Sequence, residues 1–466
     1  MGDPGPDGPV ITVVGIGADG WAGLGEPARA ALREAEVLLG GPRQLDLLPG
    51  AGDRTTREQA AQGDTGREQA ARERTAREHT AREHTARENA VPGERRAWPS
   101  PLVPALPGIL DELAGRRVAV LASGDPMFFG IGATLARVAG PERLRVLPHP
   151  SSVALACARL GWASEHVPVV SIVGRPLDAL RRTLAPGARV VVLSAGAGSP
   201  AEIAELLTGA GWGGSAMTVL ERLGAPDERI VTGTAAGWRG PSDALNVVGI
   251  ECRPDPGLRP PGETPGLPDA AYDHDGQLTK REVRAVTLAH LAPRPGELLW
   301  DVGAGSGSIG IEWMRAHPTC RAVAVESRSE RADRVAANAA ALGVPGLRVV
   351  TGRAPEVLAG LPEPDVIFVG GGLTRDGVLD ACLAALRPGG RLVANAVTVQ
   401  TEARLAAAHA DHGGELVRLQ VARAEPLGRR PGTAGGGADG VGEHSFHGWR
   451  TAMPVTLWSY QKGSQS

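Results

Sequence analysis

The chain has 466 residues, a formal net charge of -3 and only 3% aromatic residues, a balance that excludes a generic polyanion binder and gives no basic, aromatic-laced face for nucleic acid. Length allows roughly three domains, and no run of about 18 apolar residues offers a membrane span. Cys157, Cys252, Cys320 and Cys382 lie too far apart for a zinc ribbon or a disulfide framework, and residues 1–9 lack the basic and apolar regions of a signal peptide, so a reducing cytoplasm is the expected compartment.

In chain order, Val10 to Gly17 is a β-branched run ending in Gly15-Ile16-Gly17, and the pattern from Pro27 to Leu39 predicts a helix: together a strand, loop and helix that open an α/β domain. From Thr55 the composition shifts, and Thr-Ala-Arg-Glu-His recurs at Thr75 and Thr80 and, with Asn for His, at Thr85. A five-residue repeat fits no helical or solenoid period. Residues 51–97 are read as a solvated insertion, either without fixed structure or as a charge-laced helix. Its His79 and His84 are the nearest approach to a metal-ligand pair, and no metal is assigned.

Val118 to Leu121 predicts a strand running into Ser123-Gly124-Asp125-Pro126, and Leu144 to Leu147 another running into Pro148-His149-Pro150-Ser151-Ser152. Loops at strand ends are where ligands sit in open α/β sheets. Further strands are expected at 167–173, 189–193, 216–220 and 245–249, with helices at 153–160 and 200–209. Taken alone, Gly-Asp-Pro would be a plain turn. The ordered set, with Phe129-Gly130, Leu220-Glu221-x-Leu-Gly224 and Glu228, resembles the tetrapyrrole methyltransferases that modify the corrin ring in cobalamin biosynthesis. The resemblance implies a two-lobed α/β fold over residues 10–252. It also implies a cleft in which Gly15, Gly17, Gly124, Asp125, Pro126, Ser151 and Ser152 hold S-adenosylmethionine.

Residues 253–270 carry six prolines in eighteen residues and are read as a stiff linker with little that could pack. Beyond it, Leu298 to Gly310 reads LLWDVGAGSGSIG: a buried strand, an acid at its end, a glycine loop and the start of a helix. The spaced glycines alone would also suit a dinucleotide. Asp301 decides against it, because a carboxylate there repels a pyrophosphate and suits a ligand bearing an ammonium and a sulfonium, such as S-adenosylmethionine. Glu326, ending the run Val323-Ala324-Val325, is placed for ribose hydroxyls and fits either cofactor.

Strand and helix then alternate to Ala394, and Glu415 to Val421 and Pro454 to Ser459 can pair as an antiparallel edge around the glycine-rich stretch 428–448. That order is the layout of Rossmann-like class I methyltransferases. With Thr279-Lys280-x-Glu282-Val283-Arg284 upstream and Phe368-Val369-Gly370-Gly371-Gly372 downstream, residues 271–462 resemble the corrinoid methyltransferases that also decarboxylate an acetate side chain.

The joint resemblance implies a bifunctional enzyme: C-5 methylation by the first module, and C-15 methylation with loss of the C-12 acetate carboxylate by the second. It implies one S-adenosylmethionine per module, the second held by Thr279, Asp301, Gly303, Ala304, Gly305, Ser306, Gly307, Glu326 and Ala354. The substrate would be a polycarboxylate tetrapyrrole, metal-free or cobalt-bearing, for which Arg281 and Arg284 are candidate partners. Lys280 and His149 are the candidates for proton transfer. Copies are expected to associate through the second module. A dehydrogenase, an RNA methyltransferase and a non-catalytic corrinoid carrier are the competing readings, and the intact Asp301 loop weighs against the carrier.

Overall fold

Short β-branched runs buried on both faces build parallel sheets, because helices must then cover both sides. Two such sheets organise this chain. The computed structural model describes residues 11–50, 90–426 and 446–463. Residues 51–89, with His79 and His84, and most of the glycine-rich stretch after 426 lie outside the described residues.

The chain divides into two units, the first comprising residues 1–175 and 185–256, the second 176–184 and 257–466. Residues 176–184, expected within the first module, thus group with the second.

In the first unit, β1 (Ile11–Ile16), β2 (Val37–Gly40), β3 (Glu94–Ala97), β4 (Val118–Ser123) and β5 (Leu144–Leu147) form one sheet in the order β3-β2-β4-β1-β5, every pair parallel. Two expectations are corrected here. The helix predicted over 27–39 stops at Glu34 as α1 (Glu26–Glu34), and Val37–Gly40 is a buried strand. The insertion read as 51–97 ends earlier, because Glu94–Ala97 pairs with β2. An edge strand needs only backbone partners, so its charged, exposed side chains hid it.

The second sheet of this unit has the order β6-β7-β10-β8-β9, from β6 (Val169–Ser171), β7 (Arg189–Leu193), β8 (Ala216–Glu221), β9 (Arg229–Thr234) and β10 (Asn246–Glu251). The polar strand β9 was not read from the sequence.

The second unit holds a seven-stranded sheet. Helix α2 (Arg281–Leu291) precedes β11 (Leu298–Val302), which is buried at every residue and is followed by α3 (Ser308–Ala316) and β12 (Arg321–Glu326). Next come α4 (Ser329–Ala341), β13 (Arg348–Thr351), β14 (Val366–Val369) and β15 (Arg391–Ala396). After β15 the chain forms β16 (Glu415–Leu419), an outlying hairpin of β17 (Ala422–Pro426) and β18 (His447–Thr451), and β19 (Val455–Gln461).

The sheet order is β13-β12-β11-β14-β15-β19-β16, with β19 antiparallel to both neighbours. The expected terminal antiparallel pair is therefore present. The sequence order reverses between β11 and β14, and that switch point opens a crevice at the strands' C-terminal ends.

The linker expectation also needs correction. Leu267 is buried in the core of the second unit, and the backbone N–H groups of Gly266 and Leu267 donate to Glu312 at 2.6 and 3.0 Å. The end of the proline-rich stretch is a docked part of that unit.

Candidate active site

In the first unit the parallel pairing of β1 with β4 and β5 brings three strand ends together. The approach is so close that a Cβ on Gly15 would stand 2.0 Å from the Gly124 carbonyl oxygen and 2.6 Å from the His149 nitrogen. Only glycine fits there. Gly124 itself has φ +59° and donates its N–H to the Ile16 carbonyl at 3.0 Å.

These ends border a cavity of about 430 Å³ whose wall includes Gly17, Ser123, Gly124, Phe128, Ser152 and Asn246. The cavity thus gathers Gly17, Gly124 and Ser152 from the expected set. Gly15 is buried behind it. Asp125 Oδ1 accepts the Met127 N–H at 2.9 Å and closes a turn, while Ser151 Oγ caps the following helix by accepting the Ala154 N–H at 3.0 Å. Neither of these residues lines the cavity, nor does Pro126. His149 turns Nε2 to Asp19 at 3.3 Å and also lies outside the wall.

In the second unit Asp301, 1% exposed, ends β11 under the glycine loop. Its Oδ2 accepts the Gly310 N–H at 2.9 Å, and Oδ1 has no partner among the described residues. Burial pushes its carboxyl up to about 7; the Gly310 N–H opposes that shift, and the Glu326 charge adds to it. Glu326 holds the loop, accepting the Gly305 N–H at 2.9 Å and the Arg328 N–H at 3.1 Å.

The segment 273–279 is stitched over this loop. Asn338 Nδ2 donates to the carbonyls of Asp273 and Ser306 at 2.9 and 3.0 Å. Asp275, held down to about 2 by the Arg331 guanidinium, pairs with it at 2.8 Å. Together these elements enclose a cavity of about 410 Å³ walled by Thr279, Lys280, Gly303, Ala304, Gly305, Phe368, Asn395 and Arg423, among others. Asp301, Ser306, Gly307, Glu326 and Ala354 do not line it.

Two family models match the chain: Tetrapyrrole (Corrin/Porphyrin) Methylases over residues 10–237 and the Precorrin methyltransferase domain over residues 270–462. A precorrin-6Y C(5,15)-methyltransferase [decarboxylating] of Sinorhizobium sp is 46% identical over 98% of this chain and 97% of its own length. The chain belongs to the precorrin-6Y C5,15-methyltransferase (decarboxylating) family. Its namesake from Mycobacterium tuberculosis is 43% identical over 97% of this chain and the whole of its own. The crystal structure of the C-terminal domain of precorrin-6Y C5,15-methyltransferase from Rhodobacter capsulatus matches at 44% identity and TM-score 0.38, covering 43% of this chain and all of that one. The two family models bear out the resemblance read from the motifs for both modules.

The residues fit the S-adenosylmethionine on which methyltransferases of this family depend. A buried carboxylate oxygen without a donor suits an ammonium group, and the bare backbone of Gly303 and Gly305 lines the cavity above it.

One expected substrate partner is corrected. Arg284 has no exposed surface: its Nε donates to Glu312 at 2.6 Å, Nη1 to the Thr279 carbonyl at 2.5 Å, and Nη2 to the Leu267 carbonyl. It has no reach to a ligand. Its place beside Thr287, Leu288 and Leu291 on the inner face of α2 was the available signal, because those spacings share one helical face. Arg281 is exposed and does not line the cavity, whereas Lys280 does, with Nζ 3.6 Å from Asp269.

Three contributors escaped the sequence analysis. Arg43 and Gln44 follow β2, line the first cavity and donate to Ser123 Oγ at 2.9 and 2.7 Å. Burial and then Arg222 pull the Arg43 guanidinium below its ordinary value. Reading 37–39 as helix concealed the strand-end loop that carries this pair. Asn246, 6% exposed, donates from Nδ2 to the Gly196 and Asp243 carbonyls at 3.1 and 2.7 Å, leaving Oδ1 unpartnered among the described residues.

Proposed function

We propose that this chain methylates the reduced precorrin-6 macrocycle twice. The first cavity serves C-5, and the second serves C-15 with loss of the carboxylate of the C-12 acetate. S-adenosylmethionine supplies an electrophilic methyl group on a sulfonium, one molecule in each cavity. The observation that carries this reading is Asp301, a buried carboxylate with one uncommitted oxygen under a glycine loop that lines the second cavity.

Methyl transfer to carbon asks little covalent chemistry of a protein. Holding the nucleophilic carbon in line with the methyl group supplies most of the rate. In the first cavity Arg43 offers a guanidinium to the carboxylates of the substrate, and in the second Lys280 and Arg423 offer cations at the wall. Loss of carbon dioxide leaves an electron pair that the conjugated ring absorbs, so here the chain's task is to place the acetate.

Association of copies through the second module is part of this proposal. Phe446, Trp449 and Met453, each at least 70% exposed, put large apolar side chains on the β17–β18 hairpin and beside it. We place the enzyme in the cytoplasm, in keeping with four free, buried cysteines.

The test is mass spectrometry of purified full-length protein with S-adenosylmethionine and reduced precorrin-6, metal-free or cobalt-loaded, comparing wild type with Asp301→Ala. Gain of two methyl groups and loss of one carbon dioxide is expected from wild type, and a single methyl without decarboxylation from the variant. Cofactor binding with no mass change on either substrate would favour a non-catalytic corrinoid binder.

A further inference from the structure

Asn395 stands near the C-terminal end of β15 and lines the second cavity beside Phe368, Gly370 and Val397. Its amide is oriented by a relay. Asn395 Nδ2 donates to Thr287 Oγ1 at 2.9 Å, and Thr287 donates its only proton to the Val283 carbonyl at 2.8 Å. With that proton spent, the threonine can only accept, so the asparagine must meet it with N–H and not with C=O. Asn395 Oδ1 is thereby turned away from Thr287; it is buried and has no hydrogen-bond partner among the described residues. An amide oxygen in that position is costly unless a donor reaches it. In a ligand cavity it reads as a receptor for an N–H group.

The sheet order says which ligand carries that group. Asp301 and Glu326 belong to β11 and β12, whereas Asn395 lies on the other side of β11, beyond β14. At roughly 4.8 Å per strand, β15 stands about 10 Å from β11 and farther from β12. A cofactor laid from Asp301 toward Glu326 extends away from Asn395. That leaves the other half of the cavity for the methyl acceptor.

We infer that Asn395 Oδ1 accepts a hydrogen bond from a ring N–H of the tetrapyrrole, on the nitrogen conjugated with the carbon that takes the methyl group. This inference rests on assigning C-15 methylation to the second cavity. As the carbon–methyl bond forms from the ring's π pair, the nitrogen lone pair becomes a C=N bond and the sulfur–methyl bonding pair stays on sulfur. The positive charge of the sulfonium passes to the ring N–H, and the N–H remains intact. Its bond to Oδ1 strengthens as that charge develops, so Asn395 stabilises the transition state more than the bound substrate. Thr287 is the positioning residue that keeps the oxygen turned inward.

The experiment uses full-length Asn395→Ala, Asn395→Asp and Thr287→Val with S-adenosylmethionine and reduced precorrin-6, following each product by mass and binding of the cofactor by calorimetry. Asn395→Ala is expected to slow C-15 methylation about 10- to 100-fold, the worth of a hydrogen bond to a developing charge, with cofactor affinity and C-5 methylation unchanged. Asn395→Asp recovers part of the rate as pH rises and its side chain ionises, a pH dependence that a purely structural role would not create. Thr287→Val falls between wild type and Asn395→Ala. A wild-type C-15 rate in Asn395→Ala overturns the inference, as does a loss that merely tracks weaker cofactor binding. Failure of the wild type to methylate C-15 overturns the assignment of the cavity itself, and with it this role.

Discussion

Arg284 and Glu312 meet at 2.6 Å with neither side chain more than 3% exposed, and between them they gather Gly266, Leu267, Tyr272 and Thr279. The ion pair is therefore the fastening of the segment that roofs the second cavity. Removing one partner from a buried pair leaves a charge without compensation, at a cost of about 3–5 kcal/mol. Arg284→Met and Glu312→Gln are each expected to destabilise the second unit by that order, and the double variant by less than the sum. Denaturant unfolding of the four proteins in the cycle, followed by tryptophan fluorescence, to which Trp300 and Trp313 contribute, checks the coupling.

Asp301 carries a pH dependence with a definite sign. Burial raises its carboxyl from 3.8 to about 7, so the folded chain keeps a proton that the unfolded chain has released. The resulting stability is full below the unfolded value and is lost as pH rises through the folded one. Binding an ammonium group requires the ionised form. Cofactor affinity of the second site is therefore expected to rise about tenfold per pH unit below neutrality and to level above it. Calorimetric titration between roughly pH 6 and 8, about one unit either side of that value, reads the slope and its levelling, which Asp301→Asn should abolish.

Gly303 has φ +76°, and a Cβ there would lie 2.8 Å from the Gly371 nitrogen. Gly303→Ala combines strain of roughly 1–3 kcal/mol with a collision between two backbones. The variant is expected to lose cofactor binding in the second unit while the first stays active. A product carrying one new methyl group and its full complement of carboxylates would show this by mass.

Gly15→Ala tests the first unit in the same way. The added carbon would force β4 and β5 away from β1 at the cavity floor. Equilibrium dialysis with labelled S-adenosylhomocysteine is expected to show the binding stoichiometry per chain halved, with decarboxylase activity of the second unit retained.

What the chain alone made legible was local. Leu298 to Val302, an acid at the strand end and three glycines fixed a strand and a ligand loop, because periodicity and φ > 0 are properties of neighbouring residues. The ordered motifs likewise revealed both modules and their family. Tertiary structure decided what depends on distant partners. Glu94–Ala97 became a strand through the free edge of β2, and Leu267 entered a core through Glu312. Arg284 passed from substrate partner to fastening because Glu312, 28 residues away, is buried against it. Asn395 acquired a direction only from Thr287, 108 residues earlier. A side chain's type can be read from sequence, but burial and hydrogen-bond commitment are set by what the fold brings against it, and these determine whether a charged or amide group is left for a ligand.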